Sequence, residues 1–182
     1  VNVKDYTLDS LRSKISFVLQ KSELFSGTVA ENLRWGDENA DNEELREAAK
    51  IAQADEFITG FAAGYETVVA EKGASLSGGQ KQRLAIARAL LKKPDVLIFD
   101  DSMSALDLAT SAKLQNALRR QKGSLTVITI AQRVASVMNA DRILVLDGGT
   151  IAAEGNHETL MKTSEIYRDI YDSQLKRGEE IE

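Results

Sequence analysis

Residues 76–91 constrain this chain more than any other stretch of its sequence. Ser77 is a favourable N-cap residue, and Gln80 follows it at the spacing of a capping box. Gly78 and Gly79 have no side chains that would keep a ligand away from the backbone. The N–H groups and the dipole of such a helix start favour an anion. We therefore predict a helix whose first turn can receive a phosphate; the alternative is an ordinary capped helix that contains glycine.

A second motif follows this helix. Residues 96–99 are apolar and run directly into Asp100 and Asp101, a pattern typical of a buried parallel strand with acids at its C-terminal end. Residues 125–130 predict another buried strand. Gly148 and Gly149 lie between two β-rich runs, which predicts a hairpin turn. The alternation of strands and helices predicts an α/β fold, with a mostly parallel sheet covered by helices.

Together these motifs resemble the nucleotide-binding domain of ATP-binding cassette (ABC) transporters. Residues 76–80 are similar to that family's signature loop, residues 96–100 to its Walker B strand and residues 104–107 to its D-loop, in the same order and spacing. The resemblance implies a P-loop NTPase (RecA-like) cassette that binds and hydrolyses ATP with Mg²⁺. It also implies an inserted helical subdomain over residues 22–92, with the Walker B strand, D-loop, switch region and C-terminal helices over residues 93–182.

Other segments resemble exporters within this family. Gln20 ends a short β-rich run and is similar to the glutamine of the Q-loop, which in the family contacts the magnesium ion and the attacking water. Residues 24–33 are similar to the segment that follows the Q-loop in exporters. Residues 65–73 resemble the exporter element that contacts the coupling helices of the transmembrane domain. The resemblance therefore implies a partner with membrane-spanning helices.

Composition excludes several classes of protein. The net charge of −5 comes without a basic block, which argues against a nucleic-acid partner. The sequence has no cysteine and therefore no disulfide framework or thiol chemistry. No apolar run approaches the roughly twenty residues of a membrane-spanning helix. We expect the chain to reach the cytoplasmic face of the cell membrane through a transmembrane domain.

The sequence lacks one motif that ATP hydrolysis requires. A glycine-rich loop ending in Gly-Lys-Ser or Gly-Lys-Thr normally holds the β- and γ-phosphates, and none is present. In the family this Walker A loop precedes the part that the chain resembles. We therefore expect the chain to be the C-terminal portion of a longer domain, with the N-terminal portion missing. On its own it is expected to fold poorly and to bind ATP weakly.

Two positions depart from the family pattern. The family places a glutamate, the general base, where this chain has Asp101, whose carboxylate falls short by about 1.5 Å. Displacements of about 1 Å can cost on the order of 100-fold in rate. The switch histidine of the family is Gln132 here, which can donate a hydrogen bond but cannot carry a charge or relay a proton. Asp100 is intact, and with Gln20 it is the expected magnesium ligand. The only histidine, His157, is expected at the surface of a helix start.

The pattern of intact and altered motifs matches one half of a heterodimeric exporter. In the family two cassettes bind head to tail, and each ATP lies between the Walker motifs of one and the signature loop of the other. This chain combines an intact signature loop with an altered Walker B strand and switch. The resemblance therefore implies that its own ATP site, built on Asp101 and Gln132, is degenerate, with impaired hydrolysis. The partner's ATP site, completed by this signature loop, is expected to be competent for hydrolysis. The expected nucleotide-binding residues are Gln20, Ser77, Gly78, Gly79, Gln80 and Asp107.

Three other interpretations remain open. The first is a homodimeric exporter in which Asp101 works as a slower base. The second is a soluble cassette protein of DNA repair or translation, against which residues 24–33 and the acidic balance argue. The third is a regulatory or truncated cassette that only binds a partner. The transported substrate depends on transmembrane residues, so this sequence does not indicate it.

Overall fold

The computed structural model describes residues 2–121 and 125–179, with side chains up to residue 174. The strands are β1 (Ile15–Val18), β2 (Gly27–Thr28), β3 (Val68–Val69), β4 (Val96–Asp100), β5 (Thr126–Ile130), β6 (Ile143–Asp147) and β7 (Thr150–Gly155). The α-helices are α1 (Leu8–Lys14), α2 (Val29–Arg34), α3 (Asn42–Ile51), α4 (Asp55–Thr59), α5 (Gly78–Leu91), α6 (Leu108–Arg119), α7 (His157–Thr163) and α8 (Glu165–Glu179). None of the helices in these described ranges has the length and apolarity needed to cross a membrane. The chain divides into two units, Val1–Ile130 and Ala131–Glu182.

A parallel sheet organises the first unit. Its strand order is β1-β4-β5, and β4 pairs with a parallel neighbour on each side. Leu97 and Phe99, on one face of β4, are fully buried, and Val96 and Ile98, on the other face, are half-buried. The prediction of a buried parallel strand that ends at Asp100 is therefore confirmed.

The strand β5 differs from the expectation. Its residues Val127, Ile128 and Ile130 are 40%, 46% and 53% exposed, although the sequence predicts a buried strand. In the described part of the chain β5 pairs with β4 alone, so it forms an edge of the sheet. An apolar run has the same composition in a central strand and in an edge strand, which is why the sequence did not distinguish them.

Helix α5 is the centre of the helical packing in the first unit. Its residues Leu84, Ile86 and Ala87 are fully buried, and it packs against α2, α3 and β1. Gly36 follows α2 and lies so close to α5 that a Cβ atom there would be 2.1 Å from the carbonyl oxygen of Arg88. Only glycine fits at this contact. Asp41 caps α3 with a complete capping box.

The second unit is built on an antiparallel hairpin. β6 and β7 pair through the turn at Gly148 and Gly149, whose φ values of 53° and 79° are those of a tight hairpin turn; the hairpin prediction is confirmed. Asn156 caps α7. His157 opens this helix, but it is half-buried rather than on the surface, because its Nδ1 lies 2.9 Å from the hydroxyl oxygen of Tyr167.

Candidate functional site

The start of α5 has the capping that the sequence predicts. Ser77 has extended backbone angles, and its Oγ accepts a hydrogen bond of 3.2 Å from the amide of Gln80. In return, Oε1 of Gln80 accepts a hydrogen bond of 2.9 Å from the amide of Ser77. This reciprocal pair is a complete capping box. It holds the first turn of the helix in place and keeps the side chain of Gln80 against the backbone.

The first turn of α5 leaves room for a ligand. A Cβ atom at Gly78 would have no heavy atom within 4 Å, and one at Gly79 would lie 3.2 Å from the carbonyl oxygen of Ala105. The amides of the first helical turn have no carbonyl partners within the helix, and the dipole adds partial positive charge there. Gly78 therefore borders open space beside polarised amides. This arrangement fits a phosphate group, such as a terminal phosphate of ATP.

Asp100 and Asp101 lie where β4 ends. Asp100 is the last residue of the strand and is exposed. Asp101 has a left-handed backbone, with φ of 46°, a conformation that aspartate adopts more readily than most residues. Its amide donates to the carbonyl oxygen of Ile130 over 2.9 Å, and its own carbonyl oxygen accepts from Oγ of Ser104 over 2.7 Å. The backbone of Asp101 is thus held at two points.

The sheet brings Gln20 to the same place. β1 and β4 are parallel neighbours, so their carboxyl ends lie at one edge of the sheet. Nε2 of Gln20 donates a hydrogen bond of 2.8 Å to Oδ2 of Asp101. Two of the residues that the sequence singled out are therefore in direct contact, although the sequence assigned them separate roles.

A magnesium ion would have few protein ligands at this edge. The described residues hold no group of three or more histidine, cysteine, aspartate or glutamate side chains that could enclose a metal. Magnesium commonly keeps several waters and uses one or two carboxylates together with substrate phosphates. The exposed carboxylate of Asp100, with Gln20 just beyond the end of the neighbouring strand β1, fits such a partly hydrated ion.

Asp107 is the N-cap of α6. Its Oδ1 accepts a hydrogen bond of 2.8 Å from the amide of Thr110, and its Oδ2 accepts one of 2.7 Å from Oγ1 of the same residue. These bonds stabilise the carboxylate and lower the pKa of Asp107 below its ordinary value. The family resemblance implies only a nucleotide-binding role for Asp107. An aspartate just before a helical run is an N-cap signal that could have revealed this second role.

Gln132 lies in the second unit, at the start of the segment that resembles the switch region. Its side chain is exposed. Nε2 of Gln174 donates to the carbonyl oxygen of Gln132 over 2.7 Å, and Oε1 of Gln174 accepts from the amide of Val134 over 2.8 Å. One side chain of α8 thus holds the backbone of residues 132–134 at two points. Sequence reasoning missed Gln174, because nothing in its local pattern marks it.

Two residues of α5 beyond the glycines were also missed. Gln82 is only 2% exposed, and its Oε1 accepts a hydrogen bond of 2.7 Å from Oγ of Ser22. Arg83 donates from Nη1 to the carbonyl oxygen of Gln53 over 2.8 Å, and its guanidinium carbon lies 4.7 Å from the centre of the Phe57 ring. Burial lowers the pKa of Arg83 from its ordinary value. Both residues connect α5 to neighbouring segments through these contacts.

Comparison with known proteins finds a matching family model and similar proteins. The family model described as ABC transporter matches residues 1–104. The uncharacterized ABC transporter ATP-binding protein YfiB of Bacillus subtilis (strain 168) is 46% identical over 175 residues, which cover 96% of this chain and 30% of that protein. The ATP-dependent lipid A-core flippase of Haemophilus influenzae (strain 86-028NP) is 46% identical over 176 residues, again with 96% of this chain and 30% of that protein covered.

A solved structure agrees with these sequence relatives. The structure of a bacterial Atm1-family ABC exporter with ATP bound superimposes with a TM-score of 0.90 at 39% identity, and it covers 94% of this chain and 30% of that one. The chain thus spans about 30% of the length of the relatives it matches. The family model, the relatives and the shared fold agree that this chain belongs to the ABC transporter family and has the fold of its nucleotide-binding domain.

Proposed function

We propose that this chain is the ATP-binding cassette of a membrane exporter. It binds ATP and Mg²⁺ at an interface with a second nucleotide-binding domain and couples ATP binding and hydrolysis to export. The observation that carries this proposal is the start of α5, where Gly78 borders open space beside helix-start amides. The similarity of the whole chain to a lipid A-core flippase and to an ATP-bound Atm1-family exporter supports export as the direction of transport.

The two nucleotide sites of the dimer are unequal in this proposal. Ser77, Gly78 and Gly79 contact the ATP held by the Walker motifs of a different partner subunit, where most turnover occurs. The site of this chain that contains Asp100 and Asp101 binds ATP and hydrolyses it slowly or not at all. This assignment is supported by the short carboxylate of Asp101, which a hydrogen bond of 2.8 Å already links to Gln20, and by the neutral side chain at position 132.

The exporter assignment also implies contacts with the transmembrane domain and with the second nucleotide-binding domain. Residues 22–92 act as the helical subdomain that contacts the coupling helices of the transmembrane domain, and residues 93–182 supply the Walker B strand, D-loop and switch region. The exporter works at the membrane, with its cassettes on the cytoplasmic face. Gln80 and Asp107 help to form the dimer interface, where capping bonds already hold both side chains.

An ATPase assay on the assembled transporter tests this proposal. Ser77→Arg places a large cation where the terminal phosphate binds and is expected to abolish turnover. Asp101→Glu is expected to change turnover less than about twofold, because an impaired site contributes little. Ser13→Arg, at an exposed serine of α1, is the matched control and should leave turnover unchanged. Full activity of Ser77→Arg would refute the proposal.

The same variants separate the degenerate site from a slower homodimer. If Asp101 were the working base of two equal sites, the added methylene of Asp101→Glu would raise turnover by up to about 100-fold. That gain, together with loss in Ser77→Arg, would support the homodimer and reject the unequal sites.

A further inference from the structure

A groove lies at the amino ends of β4 and β5, opposite the edge of the sheet that holds Asp101. Pro94 and Asp95 directly precede β4, and Leu125 directly precedes β5; α3 and the end of α5 form the other side of the groove. Asp100 ends β4, so roughly 17 Å of strand separates the groove from the acids at the other end. Its volume is about 620 Å³, which is within the range of ligand-binding clefts.

The floor of this groove is apolar. Ile51, Leu90 and Leu125 line it and are half-buried, with their inner parts packed against the core of the first unit. Ala48 and Leu91 complete the floor and are buried. Because the three larger side chains keep part of their surface open, a partner that covers them would remove apolar area from water, which favours binding.

Acidic side chains border the floor. Among the described residues that line the groove, four are acids, and Lys93 is the one base. Glu44 and Asp95 are each paired with a lysine at 2.6 Å. The exposed carboxylates of Glu43 and Glu47 form no hydrogen bond or ion pair with any residue in the described ranges. Two carboxylates beside an apolar floor are thus open to a cationic partner.

The surroundings of the groove are also negative. Glu44 raises the pKa of Lys93, mainly by accepting its hydrogen bond, and the charges of Asp37 and Asp41 raise it further. Both aspartates precede α3, so the acidic surface extends beyond the groove itself. A second copy of this chain, with its net charge of −5, would bring more negative charge here. Charge complementarity therefore favours a basic occupant.

The two open carboxylates have the spacing of one helical turn. Glu43 and Glu47 are four residues apart in α3 and therefore lie about 6 Å apart along its axis, on one side of the helix. A second helix laid beside α3 can present lysine or arginine at the same spacing, with apolar residues on the adjoining face. A small ligand with a single ammonium group would neutralise only one of the two carboxylates.

We propose that this groove binds a basic amphipathic helix of a partner protein. The apolar face of that helix covers Ile51, Leu90 and Leu125, and its cations pair with Glu43 and Glu47. This interaction goes beyond the proposed function, because the groove contains none of the residues assigned to nucleotide or Mg²⁺. It gives the cassette a docking surface at the end of the sheet farthest from those residues.

Peptide binding to the assembled transporter in a non-ionic detergent tests the proposal. The probe is a labelled helical peptide of about 18 residues, made of leucine, alanine and lysine, with lysines four residues apart beside one apolar face. Saturable binding in the micromolar range is expected by fluorescence anisotropy. The double variant Glu43→Gln/Glu47→Gln should weaken binding about tenfold. Glu158→Gln/Glu165→Gln removes the same charge at two exposed glutamates of α7 and α8 and should leave binding unchanged.

Two further measurements test the apolar contact. Ile51→Ala should weaken peptide binding about tenfold, in a variant whose thermal melt shows that the fold is kept. A peptide of the same composition, with leucine and lysine permuted so that it has no apolar face, should bind at least tenfold more weakly. Hydrogen exchange with the original peptide bound should show protection in residues 43–51 and 90–95.

Several results would overturn the proposal. They are absence of peptide binding to the wild-type transporter, equal binding to Glu43→Gln/Glu47→Gln, equal binding of the permuted peptide, or protection at other residues only. Tetrabutylammonium, an apolar ion with one charge, tests for a small-molecule site. If it binds as tightly as the peptide and loses affinity in Glu43→Gln/Glu47→Gln, the groove holds small cations and the proposal is wrong. These readouts are independent of ATP turnover in Ser77→Arg, so the two proposals fail separately.

Discussion

Nε2 of Gln20 lies 2.8 Å from Oδ2 of Asp101, although 81 residues separate them in the chain. The contact exists because β1 and β4 are parallel neighbours whose carboxyl ends meet at one edge of the sheet. It places an amide donor against the acid that replaces the family glutamate. The side chain of Gln20 is exposed, so its loss should affect ion and nucleotide binding more than folding.

Gln20→Ala tests whether the side chain of Gln20 serves ion and nucleotide binding rather than folding. We expect the free energy of unfolding to fall by no more than about 1 kcal/mol, the net value of one hydrogen bond. The Mg²⁺ concentration for half-maximal ATP binding at this site should rise by about tenfold, as for the loss of a residue that orients a metal ligand. A Mg²⁺ titration of nucleotide binding and a thermal melt of the transporter measure both effects. Lys21→Ala is the control, and an unchanged Mg²⁺ dependence in Gln20→Ala would contradict the expectation.

Substitution of alanine at Gly36 and at Gly78 should have opposite effects on stability and on ATP turnover. Gly36→Ala places Cβ 2.1 Å from the carbonyl oxygen of Arg88, so α2 and α5 must separate, at a cost of about 3 kcal/mol. Gly78→Ala meets nothing within 4 Å and should change stability by less than about 1 kcal/mol. Under the proposed function it should nevertheless lower ATP turnover, because the methyl group enters the space that the proposal assigns to the phosphate. Melting curves and ATPase rates of both variants check this; a fully active Gly78→Ala would contradict it.

Asp107 has a capping role that can be separated from any contact with nucleotide. Asp107→Ala removes the cap of α6 and should lower the melting temperature, whereas Asp107→Ser keeps a good N-cap and should nearly preserve it. If the carboxylate contributes at the dimer interface, both variants lose turnover. If Asp107→Ser melts like the wild type but loses activity, the charge of Asp107 is the functional element. Full activity in Asp107→Ser would rule this out.

The lowered pKa of Asp107 also predicts a pH dependence. Because the folded carboxylate has a lower pKa than the ordinary value of 3.8, its stabilisation is present above pH 3.8 and is lost as the pH falls through the folded pKa. The difference in melting temperature between wild type and Asp107→Ala should therefore be constant near neutral pH and shrink below pH 3.8. A difference that widens in acid would show that the sign is wrong.

Gln174 should control the order of residues 132–134. Gln174→Ala removes the bonds to the carbonyl oxygen of Gln132 and to the amide of Val134. We expect amide exchange at Val134 to accelerate by about tenfold, since each bond contributes on the order of 1 kcal/mol. Hydrogen exchange with mass spectrometry measures this, and Ser173→Ala is the neighbouring control. Unchanged exchange at Val134 would show that other contacts hold the segment.

Local signals account for what the sequence could predict. The capping box of Ser77 and Gln80 and the hairpin turn at Gly148 and Gly149 each depend on a few adjacent residues. Residue type and short spacing are enough to specify such features. The buried central strand β4 was predictable for the same reason, because both of its faces are apolar.

Contacts between distant segments were not predictable in this way. Gln174 reaches Gln132 across 42 residues, and Ser22 reaches Gln82 across 60. Each pair depends on the fold and leaves no periodic pattern in the sequence. The exposure of β5 escaped prediction because it depends on which strands lie beside it. The left-handed backbone of Asp101 likewise follows from the bonds that hold its peptide groups.

The exposed edge strand β5 has a practical consequence for handling this chain. Val127 and Ile128 present apolar side chains on a strand that pairs with β4 alone among the described residues. Such an edge is a template for pairing with another molecule, and charged residues, lysine especially, suppress that pairing. At high concentration the isolated chain should aggregate, and Ile128→Lys should reduce its light scattering.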